Sequence, residues 1–592
     1  MLPRSLVQET APLNPNPQSV QGPSARERRV LACTGAALAV FALLKYAARF
    51  IPLEMTKFDD AYMFLRYAHN LLEGHGLRWN AAGPMTYGTT SLLYLLEVTA
   101  SVFLSPLPGY KTLLLVSAAN GLAAFFMITF AACRAVRSPW LKNFPLLCGI
   151  NGMLLLAEEN FRAQAATGMD TTLSIFINAL LVLCVLRLWD APSRAGAMLT
   201  AAVSYLSVLC RPDHFFYAGL FPLLAFWILD MERKKEITLV WAVTLAGLAA
   251  ADSAAKWALF GDIMPLPVYV KAKGFYEGFY GAYDLNPVRL FNYFLVTCAP
   301  FLAAGFLFFR RKFFKTAVVF GVPVLISYAA LFLAHPIMGW RGRFYFPGLP
   351  FIVISVYLAL DGALRDRDFR RENFVGYFLR ATALFFIMLA MPSWYSRSEE
   401  MFHGWLRSKA PGHYDVELRT YLSEGKIRDL PWWDSILAMD EMLDRIPGPF
   451  VLAATEHGLL SSRHPEDTII DMNGLHDPQI AKNKFSAEYV FSREPDLIWF
   501  PFWDYTGSVR ALWNSDRLWK DYEYFPRAFN YGIAIRKGSP KYREIREAVK
   551  AEWQKTYPGS DFEEERAASP EILQRRISDF MAALKSSPQS PR

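Results

Sequence analysis

Long apolar runs alternate with short basic loops from residue 30 to about residue 393, and the pattern then stops. Runs at 30–48, 110–132, 140–158, 172–188, 196–211, 214–231, 237–256, 288–308, 314–334, 344–361 and 374–393 approach the roughly 20 residues needed to cross a bilayer core. They predict about eleven transmembrane helices. The stretch 90–107 is shorter and carries Glu97 near its middle, so an interfacial or re-entrant segment on the outer face is expected there. Beyond 393 the period changes. Runs at 449–455, 467–473, 496–502 and 531–537 are strand-like and are separated by helix-like stretches. The expected fold is therefore a polytopic α-helical membrane protein over 30–393 with a C-terminal soluble α/β domain over 394–592. Residues 1–29, rich in Pro, Ser and Gln, are expected to be a disordered cytoplasmic N-terminus. The first apolar run is long enough for a retained helix, where a signal peptide would be shorter.

Composition sharpens this picture in three places. The chain has 592 residues and is 53% hydrophobic, with a positive mean hydropathy of +0.16 despite its polar C-terminal third. Its net charge of +8 gives no case for nucleic acid, because the basic residues cluster in loops between apolar runs. With the N-terminal arginines Arg26, Arg28 and Arg29 inside, every strongly basic short loop falls on the same side, as the positive-inside rule demands. The loops at 49–109, 159–171, 257–287 and 335–343, and everything after 393, then lie outside. The polar chemistry is then expected on the outer face of the membrane. The six cysteines all lie in or beside apolar runs, so the C-terminal domain has no cysteine framework. Charges within the spans, Asp252 and Arg380, sit near the ends, unlike the deep ionisable groups of a proton-coupled transporter.

The strongest local signal is FDDAYMFLRYAHNLLEGHGLRWN, residues 58–80. Asp59 and Asp60 follow the first span almost directly, and Tyr62, Leu65, Arg66, Asn70 and Leu71 recur at helical spacing up to Gly74 and Gly76. A carboxylate at a membrane surface can accept a proton from an acceptor hydroxyl, and burial beside an acidic neighbour tunes it. The plainer alternative is that the pair caps the helix that follows. His75, between two glycines, reads as a turn residue before a metal ligand. Asp59, Asp60 and Asp170 are carboxylates of the kind that hold Mg²⁺ or Mn²⁺, and the sequence leaves that cofactor open. Lys271, Lys273, Arg341 and Arg343 are outer cations suited to a phosphodiester leaving group. For the two lysines, snorkelling to lipid phosphates is an equal alternative. Neither a Walker loop nor a GxSxG elbow is present.

These residues carry a resemblance. Asp-Asp-Ala-Tyr, Arg-Tyr, Gly-His-Gly-Leu and Trp-Asn within 59–80 resemble the first outer loop of the GT-C glycosyltransferases, in particular the subgroup containing the terminal arabinofuranosyltransferase of mycobacterial cell walls. Gly168-Met169-Asp170-Thr171 is similar to that family's Gly-Leu-Glu-Thr, and Arg211-Pro212-Asp213 to its Arg-Pro-Glu, each one methylene shorter. Gly261-Asp262 with Tyr269, Lys271 and Lys273 resembles a later loop, departing from it at Leu266-Pro267. Arg341-Gly342-Arg343-Phe344 and Asp471 to Pro478 resemble two further motifs. The resemblance implies inverting transfer from a polyprenyl-phosphate sugar. It implies Asp59 as base with Asp60 next in line, Asp170 as a further catalytic carboxylate, and Tyr62, Arg66, His75 and Tyr269 at the substrate. The partners implied are the lipid-linked donor, a glycan or protein acceptor, and membrane lipids, and the localisation implied is a bacterial inner membrane, multi-pass, with the active site and C-terminal domain extracytoplasmic.

Two other functions are open at this stage: protein O-glycosylation within the same superfamily, and a lipid-linked-sugar transporter or flippase. The C-terminal indoles Trp432, Trp433, Trp499, Trp503, Trp513 and Trp519 suit either core packing or a sugar platform.

Overall fold

Ser24 opens the first helix, Ala25–Ala48, with a capping box: its Oγ accepts from Glu27 N while its own N–H reaches the Glu27 carboxylate. The computed structural model describes residues 22–52, 54–272, 287–308, 313–333, 340–365, 416–423, 430–502 and 505–586. They divide into two units.

The helical unit draws on residues up to 56, 90–258 and 284–400. Helices occupy ten of the eleven expected spans; the eleventh, 374–393, lies outside the described residues. Among the described residues seven helices are long and apolar enough to cross a membrane. Thr171–Asp190 is the buried centre of this unit, with 83% of its apolar window covered, whereas Lys234–Phe260 has 11% covered and offers its side chains outward. In a bilayer such outward apolar faces meet lipid and carry no penalty. Helix Ala25–Ala48 crosses Phe144–Asn151 at Gly35 and Gly149, where a Cβ on either would collide with the other helix's backbone. The second of these helices passes into a π-helical turn at Gly152–Leu156, so this span is irregular. Leu92–Leu104 is a helix of 13 residues, about 20 Å long, too short for a bilayer core of about 30 Å. Asn120 donates to its Glu97 carboxylate at 2.9 Å. Asp252 is paired with Lys256 one turn on, so that helix carries a neutral pair.

The second unit gathers 57–89, 259–283 and 401–592 around a five-stranded sheet. Its strands are β1 Val451–Ala454, β2 Thr468–Asp471, β3 Leu497–Trp499, β4 Tyr522–Phe525 and β5 Ile533–Arg536, in the order β2-β1-β3-β5-β4. β1 runs parallel to β2 and β3, while β5 is antiparallel to both β3 and β4. All four expected strands are present. β4, unforeseen, is a short run of two tyrosines around Glu523 between Asp521 and Pro526, and its four residues are all buried.

Candidate active site

The chain folds so that the 58–80 segment lies on the edge and carboxyl ends of this sheet. Asn80 completes the edge of β2 with its side-chain amide, accepting from Ile469 N at 2.9 Å and donating to Ile469 O at 3.0 Å. Arg66, 1% exposed, then spends all five N–H groups on protein oxygens: Trp79 O, Ser461 O, His464 O, Asp467 O and Asn80 Oδ1, at 2.6–3.2 Å. A guanidinium has five donors in a fixed fork, so none remains for a substrate. Arg66, expected at the substrate, is in this structure a clamp between the 62–80 segment and the loop before β2.

Order reverses at β1. The chain leaves it for β2 on one side and returns to β3 on the other. In open α/β sheets the crevice at the carboxyl end of such a strand is where ligands bind. Thr455, Glu456 and His457 follow β1 there, and the Asp59–Asp60 pair packs against them. Asp59 is 4% exposed; its Oδ2 accepts from Gly458 N at 2.7 Å and its Oδ1 from Leu459 N at 2.8 Å. Position 458 requires glycine, because a Cβ would collide with the Asp59 carbonyl. Asp60 is half-buried and keeps access to solvent. Glu456, also half-buried, accepts from Trp432 Nε1 at 3.0 Å.

Burial pushes the Asp59 carboxyl above its ordinary range and Asp60 adds to this, against the Leu459 N–H, the His457 charge and the Gly458 N–H. Burial, then the charges of Asp59 and Asp60, push Glu456 up to about 8. Near neutral pH Glu456 therefore holds a proton that an isolated carboxylate would have lost. His457 is fully buried, with Nε2 2.9 Å from Asp471 Oδ1 in ion-pair contact. Burial alone would favour its neutral form, but Asp471, Asp59 and Asp60 overcome it and raise its pKa. Asp471 is fixed by N–H groups of Asn473, Gly474 and His476. His476 is its opposite: burial holds it down to about 3, so a neutral ring lies 3.9 Å from Trp79, tilted by 6°. Its Nδ1 meets Tyr67 Oη at 3.2 Å.

The other expected residues fall as follows. Tyr62 is fully buried and stacks on Trp433 at 6.2 Å. His75 is exposed, 3.6 Å from Glu73, between glycines of positive φ. Tyr269 donates to Asp262 at 2.7 Å, and Lys482 pairs with the same carboxylate at 2.8 Å. Lys271 is half-buried on the one-turn-plus helix Leu266–Ala272, and Lys273 lies outside the described residues. In the helical unit, three motifs meet. Asp170, 1% exposed at the start of Thr171–Asp190, lies 3.4 Å from Arg211, whose fork grips Asp213 at 3.0 and 3.3 Å. The Arg211 and Arg343 guanidiniums lie 4.4 and 4.9 Å from the Phe344 ring. Arg341 has a left-handed backbone (φ 46°) and packs on Trp340 and Tyr293. Among the described residues no group of three or more His, Cys, Asp or Glu side chains is arranged to hold a metal ion.

Comparison adds little to this geometry. No protein-family model and no curated protein matches the sequence. Twelve solved chains match in structure. One is the Archaeoglobus fulgidus oligosaccharyltransferase in its apo form, with a TM-score of 0.40 and 13% identity over 75% of this chain. The chain spans 64% of that neighbour's length.

Glu456 and His457 were not singled out from the sequence, whereas Trp432 was named only as one of the C-terminal indoles. The usable signal was positional: a strand is expected at 449–455, and the first polar residues after its carboxyl end are Glu456 and His457.

Proposed function

We propose that this chain is a membrane glycosyltransferase of GT-C type that moves a sugar from a polyprenyl-phosphate donor to a cell-envelope glycan on the outer face, with inversion. The motif resemblance favours arabinofuranose. The observation that carries the reading is the Asp59–Asp60–Glu456 cluster, set after the first span and at the order reversal of an α/β sheet. Asp59 is the base the motif resemblance implies, but it is the buried anchor of the 457–463 segment, so the carboxylate proposed to meet the acceptor hydroxyl is its half-buried neighbour Asp60. In the step, the acceptor O–H gives its proton to the carboxylate and its oxygen attacks the anomeric carbon from the face opposite the phosphate. The bond from that carbon to the phosphate oxygen breaks, and the electron pair leaves with the polyprenyl phosphate. Lys271, Lys273, Arg341 and Arg343 are the cations proposed to hold that phosphate, with Asp170 and Arg211 setting the surroundings of Arg343. Positive charge aimed at the leaving oxygen is stronger where water is excluded.

The test is transfer of labelled sugar by full-length protein in nanodiscs from synthetic polyprenyl-phosphate arabinose, mannose or glucose to an arabinan, mannan or glucan oligosaccharide. Transfer with inverted configuration supports the reading. No transfer from any of the three donors by folded protein removes it.

Glu456 gives a pH prediction. Its folded pKa, about 8, is raised above the ordinary 4.5, so the folded state holds its proton more tightly than the unfolded chain. Its contribution to stability is full below about pH 4.5 and is lost as pH rises through about 8. Thermal unfolding of wild type and Glu456→Gln across this window should show the wild type losing ground to the variant as pH rises. Parallel curves would show that the carboxyl ionises normally.

A further inference from the structure

A groove of about 600 Å³ opens between the segment that carries Trp513 and Trp519 and the helix Pro570–Ser586. It shares no residue with the carboxylate cluster. Its volume falls in the range of about 300–1,000 Å³ that small ligands occupy.

Two features of its walls select a ligand. Trp519 is half-buried, and its ring is fixed: its indole N–H donates to Trp513 O at 2.8 Å, and it meets Tyr524 edge-on at 5.9 Å. Trp513 is fixed in turn by donating to Tyr524 Oη at 2.9 Å. A rigid, partly open indole is a surface on which an amphipathic face can lie at small entropic cost. Facing it, Glu571, Gln574, Arg575 and Ser578 recur at one helical face, with the buried Leu573 closing the groove beside them and Ile577, 1% exposed, on the far side of the helix. That face alternates donors and acceptors within one turn of each other.

An apolar ligand would cover Glu571, Gln574 and Arg575 without hydrogen-bonding them. A polyanion would find Glu571 offsetting Arg510 and Arg575. A sugar chain has what both walls ask for: C–H faces for the indole and vicinal hydroxyls for amide, guanidinium and carboxylate.

We infer that this groove is a second carbohydrate site, which holds a short stretch of the acceptor oligosaccharide apart from the residues of transfer. The inference rests on the proposed function only for the identity of the chain bound. A site of this kind selects acceptors by length: an oligosaccharide long enough to occupy it while its end is at the carboxylate cluster gains from it, and a monosaccharide does not.

The experiment uses full-length protein in nanodiscs and saturation-transfer NMR with arabino-, manno-, gluco- and galacto-oligosaccharides of three to six sugars. Binding of at least one class is expected, weakened about tenfold by Trp519→Ala, the scale of one lost aromatic contact. Arg575→Ala with Gln574→Ala, on the exposed helix face, should weaken it similarly and guards against misfolding of the tryptophan variant. Asp60→Asn should leave binding intact. In transfer assays across acceptors of increasing length the groove variants should raise KM for the long acceptors more than for a monosaccharide. No binding of any oligosaccharide at millimolar concentration, or binding indifferent to both sets of variants, overturns the inference. Binding that depends on the groove in a protein that transfers nothing would remove the proposed function and leave this site standing.

Discussion

Asp60→Asn is expected to lower turnover by about 10²–10⁴-fold, the usual worth of a positioned general base, with little change in unfolding temperature. Asparagine keeps the size of the side chain and removes only its capacity to take a proton. Asp60 is half-buried, so its charge is not the sole support of a packed element. Asp59→Asn is a different experiment. Both Asp59 oxygens accept backbone N–H groups, and an amide would turn its NH₂ toward one of them. An unsatisfied buried donor costs about 1–3 kcal/mol, so this variant should lose stability together with activity. The two variants therefore separate roles that adjacent sequence positions conceal. Loss of turnover in Asp60→Asn with unchanged unfolding, partly recovered by Asp60→Glu, fits a proton acceptor. Full activity in Asp60→Asn would return the role to Asp59, and an unfolded Asp60→Asn would make this carboxylate structural.

Helix and strand periods were legible because each is a local pattern. Ten expected spans are helices, and four strands lie within the runs that foretold them. β4 escaped because Tyr522–Phe525 is four residues with a charged Glu523 inside it, too short for period-two alternation to stand out. Glu523 is tolerated there because Arg546 pairs with it at 3.0 Å, a contact no local window contains. The carboxylate pair was also legible, as adjacent acids after an apolar run. Its third member was not, since Glu456 meets Asp59 and Asp60 only after the sheet forms, nearly four hundred residues along the chain. The same holds for the stack of Trp79 on His476. The two motifs at 58–80 and 471–478 resembled one family separately, and only the fold brings them face to face. Arg66 is the clearest case of a role hidden from sequence. Four of its five partners are backbone carbonyls, and a carbonyl has no letter in the sequence.

Arg66→Met should destabilise the sheet-bearing unit by about 3–5 kcal/mol, the range for removing one partner of a buried charged network. For a domain of this size that is a fall of about 6–20 °C in Tm. The size follows from what is left behind. Methionine fills part of the volume but offers no N–H, so the oxygens of Trp79, Ser461, His464 and Asp467 lose a donor in a place closed to water. Asn80 loses one of its donors as well, and with it part of the restraint that keeps its amide on the edge of β2. Burial already holds the guanidinium down to about 10, a sign that its charge is costly and retained for its fork. Arg66→Lys should recover little, because an ammonium has three donors about one point and cannot span acceptors on three sides. Hydrogen exchange localises the effect: amides of 458–467 should lose protection before those of β3 and β5. Because Gly458 and Leu459 hold Asp59, that loosening reaches the carboxylate cluster, and turnover should fall at temperatures where the wild type is still intact. A Tm within about 2 °C of wild type in both variants would show that water replaces the guanidinium, and that the segment is held by Asn80 and packing alone.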